Sequence, residues 1–164
     1  MTDREAIVFR TDASVQIGTG HVMRCLTLAD ALRDQGRECH FICREHPGHL
    51  IESIRSRGFP VHVLPVSDEE RAQDVTSGPA HAMWLGASWE TDARQTAEVI
   101  RDLHPSWVVV DHYALDARWE AVVKQWAGHL MVVDDLADRR HEADLLLDQN
   151  LGRKADDYAV LVPE

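Results

Sequence analysis

Short, uniformly apolar runs alternating with amphipathic stretches constrain this chain more than any other feature. The runs fall at residues 6–9, 38–43, 60–64, 107–110, 130–133 and 144–147. Between them, a stretch reaching Gly36 and residues 50–57, 92–103 and 117–127 read as helices. In the first of these, Val22, Cys25, Leu26, Ala29 and Leu32 recur at three- and four-residue steps, the stripe of a helix packed on a sheet. Apolar runs without alternation suit strands buried on both faces. Strand–helix alternation with right-handed crossovers then predicts a parallel α/β sheet, Rossmann-like, with helices on both faces. The 164 residues, 45% of them hydrophobic, suffice for one sizeable core, so residues 1–164 are expected to form one domain.

The first strand leads into Gly18-Thr19-Gly20-His21-Val22-Met23-Arg24, which opens the first helix. Glycines at such a turn let the backbone approach a ligand, and the free N–H groups at a helix start favour phosphate oxygens. His21 falls in the first helical turn, where the positive end of the helix dipole disfavours an imidazolium and leaves a ring able to accept a proton. Arg24, three residues on, shares its face and is a candidate anion clamp. Two nucleotide motifs fail here. Met23 stands where a dinucleotide fingerprint needs its third glycine, and no Gly-Lys-Ser/Thr triplet occurs anywhere in the chain.

Polar residues collect just past the carboxyl ends of the predicted strands: Asp12, Asp111, His112, Tyr113, Asp134, Asp135, Gln149 and Asn150. Open α/β sheets bind ligands at that edge, although Asp and Asn also serve there as caps and turn formers. The Asp134-Asp135 pair does not fit a phosphorelay receiver, whose acidic pair follows the first strand. Cys39, Cys43, His46 and His49 resemble a zinc ligand list, but on a strand the two cysteines lie roughly 13 Å apart at about 3.3 Å per residue. They read instead as core thiols, and no metal is expected.

A net charge of −11, from 17 basic against 28 acidic residues, argues against nucleic-acid binding by phosphate neutralisation. With three cysteines, no transmembrane-length apolar run and no apolar leader, the expectation is a reduced, cytoplasmic protein that is not held in a membrane. Residues 65–91 lack periodicity, and a connection of that length is usually functional or partly helical. Trp84 and Trp89 within it either pack the loop down or present a stacking wall for a sugar.

With these residues assembled, the chain resembles the UDP-2,4-diacetamido-2,4,6-trideoxy-β-L-altropyranose hydrolases of pseudaminic acid biosynthesis. The resemblance rests on Arg10-Thr-Asp-Ala-Ser, on Ile17-Gly-Thr-Gly-His-Val-Met-Arg-Cys-Leu-Thr-Leu-Ala29, and on Val110-Asp-His-Tyr113, Val133-Asp-Asp135 and Asp148-Gln-Asn150 in that order. It implies the N-terminal half of a GT-B-type glycosyltransferase architecture, with a C-terminal nucleotide-binding half beyond this chain. The implied reaction is attack by water at the anomeric carbon of a UDP-sugar, with inversion and release of UDP, and with no cofactor or required metal. His21 matches the family's catalytic histidine and would be the general base. Arg10, Asp12, Gly18, Gly20, Arg24, Asp111, His112 and Tyr113 would line the substrate pocket. The alternatives are a glycosyltransferase half-domain, in which His21 activates a sugar hydroxyl, and a non-catalytic nucleotide-sugar binding module. By the same resemblance, this chain is expected to fold alone and to hydrolyse poorly or not at all.

Overall fold

The computed structural model describes residues 5–67 and 78–163. The strands are β1 (Ala6–Thr11), β2 (Glu38–Arg44), β3 (Val61–Leu64), β4 (Trp107–Asp111), β5 (His129–Val133) and β6 (Leu145–Leu147). They form a six-stranded sheet in the order β3-β2-β1-β4-β5-β6, and every pairing is parallel. The helices are α1 (Gly20–Asp34), α2 (Ile51–Ser56), α3 (Trp89–Leu103) and α4 (Ala117–Val123). This is the Rossmann-like α/β architecture that the alternating pattern predicts.

Alternation along each strand divides the core into two layers. Ile7, Phe9, Phe41, Val109 and Val133 pack with Val22, Cys25, Leu26 and Ala29 of α1 and with Ile51 and Ile54 of α2. Val8, Ile42, Val108, Val110, Leu130 and Val132 meet Ala93 and Ile100 of α3 and Trp119 and Val123 of α4 on the opposite face. Each fully buried aliphatic or aromatic side chain contributes roughly 1.5–3 kcal/mol, which makes these layers the main source of stability. Cys39 and Cys43 lie in the first layer, as core thiols. Burial pushes the Cys39 thiol up to about 11, so it stays protonated and unreactive at neutral pH.

The strand positions agree with the sequence reading, whereas two helix boundaries shift. α3 begins at Trp89 rather than residue 92, because the Ser88 hydroxyl accepts a hydrogen bond from the Thr91 amide at 3.1 Å and so caps the helix a turn earlier. α4 ends at Val123, and its expected last turn tightens into a 3-10 segment, Lys124–Trp126, before the chain enters β5. Within the long connection, Ala82–Leu85 is a 3-10 turn with Leu85 buried. Trp84 and Trp89 are half-buried. Residues 68–77 of that connection, including Asp68, Glu69, Glu70 and Ser77, lie outside the described residues. Among the described residues, no helix is long and apolar enough to cross a membrane.

Candidate functional site

The strand order reverses between β1 and β4, and a crevice at the carboxyl end of a parallel sheet opens at such a switch point. α1 starts there. Gly18 makes the entry possible: its φ of +80° lies in the left-handed region, and its amide donates to the Ser14 carbonyl at 2.8 Å. Thr19 at the N-cap makes no side-chain hydrogen bond, and the first turn carries no acidic residue. A Cβ added at Gly20 would meet only open space. The first N–H groups of α1 are therefore left without a side-chain cap, which suits an anionic group.

His21 and Asp111 are 90 residues apart in sequence, yet His21 Nδ1 lies 2.5 Å from Asp111 Oδ1. Asp111 also accepts from Arg24, through Nε to Oδ2 and through Nη2 to Oδ1 at 2.6 Å. Burial raises the energy of the Asp111 carboxylate, but the hydrogen bonds from Arg24 and His21 outweigh it and hold the carboxyl below the usual range. An ionised Asp111 is only an acceptor, so His21 Nδ1 carries the hydrogen and donates it. Arg24 Nη2, at 3.3 Å from the same Nδ1, is then a close neighbour rather than its hydrogen-bond donor. With Nδ1 protonated in the neutral ring, Nε2 holds the lone pair, and it meets no partner among the described residues. This is the tautomer a general base requires.

Arg24 has little left for a ligand. Besides Asp111 it reaches Asp135 Oδ2 through Nη1 at 3.2 Å, so all three nitrogens face carboxylates. Tyr113 donates its hydroxyl to Asp135 and sets its ring edge-on to His21, with centroids 4.4 Å apart at 84°. Asp135 in turn is held by its backbone carbonyl, which accepts from Asn150 Nδ2 at 2.9 Å and Arg153 Nη2 at 3.0 Å. His21, Arg24, Asp111 and Tyr113 thus meet in one cluster, beside Gly18 and Gly20.

Arg10, Asp12 and His112 are placed differently. All are buried on the α3 side of the switch point. Arg10 forms a fork on Asp12, at 2.7 and 3.0 Å, and a second on Asp92, at 3.1 and 2.6 Å. Asp12 also accepts from the Arg44 amide at 2.7 Å and from His112 Nε2 at 2.9 Å, and Asp92 from Arg44 Nη2 at 2.7 Å. The sequence reading did not include Asp92 or Arg44 in any site and weighed His46 only in the rejected zinc set, and no spacing signal could have shown that Asp92 meets a residue 82 positions away.

One atom each of Asp12, His46 and His112 lies within 4.8 Å of the others, a spacing that a metal ion could use. The hydrogens are arranged otherwise. His112 Nδ1 accepts from the Ala114 amide at 3.0 Å, so its Nε2 carries the hydrogen and donates to Asp12, where the Arg10 guanidinium supplies the positive charge. The four residues of the zinc-like spacing also part company. Cys39 and Cys43 enter the core, His46 turns to Asp12, and His49 Nδ1 accepts from the Ile51 amide.

No protein-family model matches the chain. Over 157 residues, 96% of its length, it is 28% identical to the UDP-2,4-diacetamido-2,4,6-trideoxy-beta-L-altropyranose hydrolase of Campylobacter jejuni. It spans 46% of that protein, about half. The match supports a distant relationship to a UDP-sugar hydrolase and makes an enzymatic function plausible.

Proposed function

We propose that this chain is the N-terminal, sugar-binding half of a GT-B-type UDP-sugar hydrolase acting on a UDP-linked 2,4-diacetamido-2,4,6-trideoxy sugar. The reading rests chiefly on the His21–Asp111 pair, with Nδ1 tied to a carboxylate at 2.5 Å and Nε2 left to take a proton. In the reaction, water oxygen bonds to the anomeric carbon while its proton passes to His21 Nε2. The bond from that carbon to the phosphate oxygen breaks, its electron pair leaves with UDP, and the sugar emerges with inverted configuration. UDP is a good leaving group, so the usual second carboxylic acid of glycosidases need not be invoked. The uncapped start of α1, at Gly20, offers N–H groups to phosphate oxygens.

Arg24 takes a positioning role in this scheme, since its nitrogens hold Asp111 and Asp135. Tyr113 walls the sugar pocket beside the base. Arg10, Asp12 and His112 brace the strand ends from below instead of touching the substrate. In this reading the nucleotide contacts come mainly from a second half outside these residues, and the substrate is a nucleotide sugar in the cytoplasm.

The test is a titration of the His21 imidazole by NMR with UDP and with the UDP-diacetamido sugar, alongside assay of UDP release. The expected result is a larger His21 response to the sugar nucleotide than to UDP, with slow release that His21→Asn abolishes. Equal responses to both ligands, or release untouched by His21→Asn, would overturn the reading.

A further inference from the structure

We infer that His81, backed by Trp84, reads an acetamido group of the sugar whose anomeric carbon lies at His21. The inference rests on the proposed function and adds a specificity-determining residue to that site.

The aromatic rings around His21 form a continuous surface. Tyr113 stands edge-on to His21, His81 lies 5.4 Å from Tyr113 between ring centroids, and Trp84 is 4.4 Å from His81 and 6.1 Å from Tyr113. The segment that carries His81 and Trp84 is anchored at both ends of its turn. The Trp84 amide donates to the His81 carbonyl at 2.9 Å, and Leu85 is buried. Gly86, at a φ of +73°, packs so tightly on His46 that a Cβ there would lie 2.7 Å from its ring. The wall is therefore fixed to the same buried network that braces β1.

Within this wall, His81 Nδ1 is buried and has no hydrogen-bond partner among the described residues. A buried ring nitrogen without a partner carries a desolvation cost that a ligand atom would remove. Its surroundings are aromatic, so the ligand group must bring apolar surface together with one polar atom. An acetamido arm has that composition. Its methyl packs on Trp84 and Tyr113, and its amide offers both a carbonyl acceptor and an N–H donor, so either tautomer of His81 is served. A sugar hydroxyl would satisfy the nitrogen but leave the aromatic faces uncovered.

UDP-N-acetylglucosamine and UDP-glucose differ only in an acetamido group against a hydroxyl, and they provide the test. By NMR, the acetamido nucleotide should shift both the His21 and His81 ring signals and the Trp84 indole. It should bind about tenfold more tightly than UDP-glucose, ~1.4 kcal/mol. His81→Phe should bring the two affinities within about twofold and leave that for UDP unchanged, while His81→Gln, which keeps a hydrogen-bonding group, should restore part of the preference. A preference that survives His81→Phe, or a His21 response with none at His81, would overturn the inference and leave the hydrolase reading standing. No response at either imidazole would remove both.

Discussion

Two arginine–carboxylate clusters flank the switch point, built from the same residue types and separated by a single strand position. In one, Arg10, Asp12, Asp92, Arg44 and His112 are buried and spend their polar atoms on one another and on protein neighbours such as the Pro65 carbonyl and the Ala114 amide, apart from Arg44 Nε, which has no partner among the described residues. In the other, Arg24 keeps 19% of its side chain exposed and His21 Nε2 meets no partner among the described residues. The sealed cluster ties the strand ends together, whereas the open one leaves a ring nitrogen with no partner among the described residues. Charge and residue type do not separate structure from chemistry here. What separates them is whether a lone pair is left over.

That contrast is most easily broken at Asp111. In a comparable carboxylate–histidine pair, Asp→Asn costs on the order of 10⁴ in kcat by installing the wrong tautomer. Asp111→Asn should therefore lower UDP release by a similar order while leaving circular dichroism and sugar-nucleotide binding largely intact. Retained turnover would show that Asp111 does not set the His21 tautomer.

In the sealed cluster, Asp12→Ala should act on stability instead. It strips the Arg10 guanidinium of one of its two carboxylates inside the core. Breaking a buried pair in this way costs roughly 3–5 kcal/mol, read as a lower urea midpoint. A loss below about 1 kcal/mol would mean that water reaches the site.

The pH dependence of stability should have two limbs. Burial raises the Asp12 and Asp92 carboxyls, but Arg10 outweighs it for both, aided by His112 at Asp12 and Arg44 at Asp92, so both sit below the ordinary range. Their contribution is complete above about pH 4 and is lost as pH falls through the lowered values. His141 behaves oppositely. Burial disfavours its charge, yet Asp134 and Glu120 outweigh that and raise it, with Nδ1 at 2.7 Å from Glu120. Its contribution is complete below about pH 6.5 and is lost as pH rises through the raised value. Urea midpoints across pH should show both limbs, and His141→Gln should flatten the alkaline one while leaving the Asp12 and Asp92 share of the acid one in place, reducing that limb only through Asp134, which His141 helps to hold down.

The smallest effect belongs to the exposed Arg94–Glu98 pair on α3, at 3.3 Å. Arg94→Ala should change stability by no more than about 0.5 kcal/mol, since solvent already screens both charges. A larger loss would mean that exposure does not decide what an ion pair is worth in this protein.

Much of the fold was legible in the sequence. The apolar runs, the Gly18 turn and the stripe of α1 reflect local periodicity, which a strand or helix imposes on its own residues. The earlier start of α3 had a readable signal in the Ser88 cap, and only the periodic residues were weighed there. For the site, position at the strand ends nominated His21, Arg24, Asp111 and Tyr113, which the structure brings into one cluster, and equally Arg10, Asp12 and His112, which it buries in another. Nothing in their spacing distinguishes an interior brace from a pocket wall. Side-chain direction differs because β1 alternates its faces: Phe9 turns towards α1 and Arg10 meets Asp92 of α3.

The sequence by itself determined a parallel α/β sheet, a glycine turn opening α1 at its carboxyl edge, and the set of polar residues carried to that edge. Only the tertiary structure decided which of them pair. Strand order brings β4 beside β1, so Asp111 meets a histidine 90 residues earlier, while Asp92 closes on Arg10 from another helix. Such partnerships depend on burial and on distances through space, and a one-dimensional pattern carries neither.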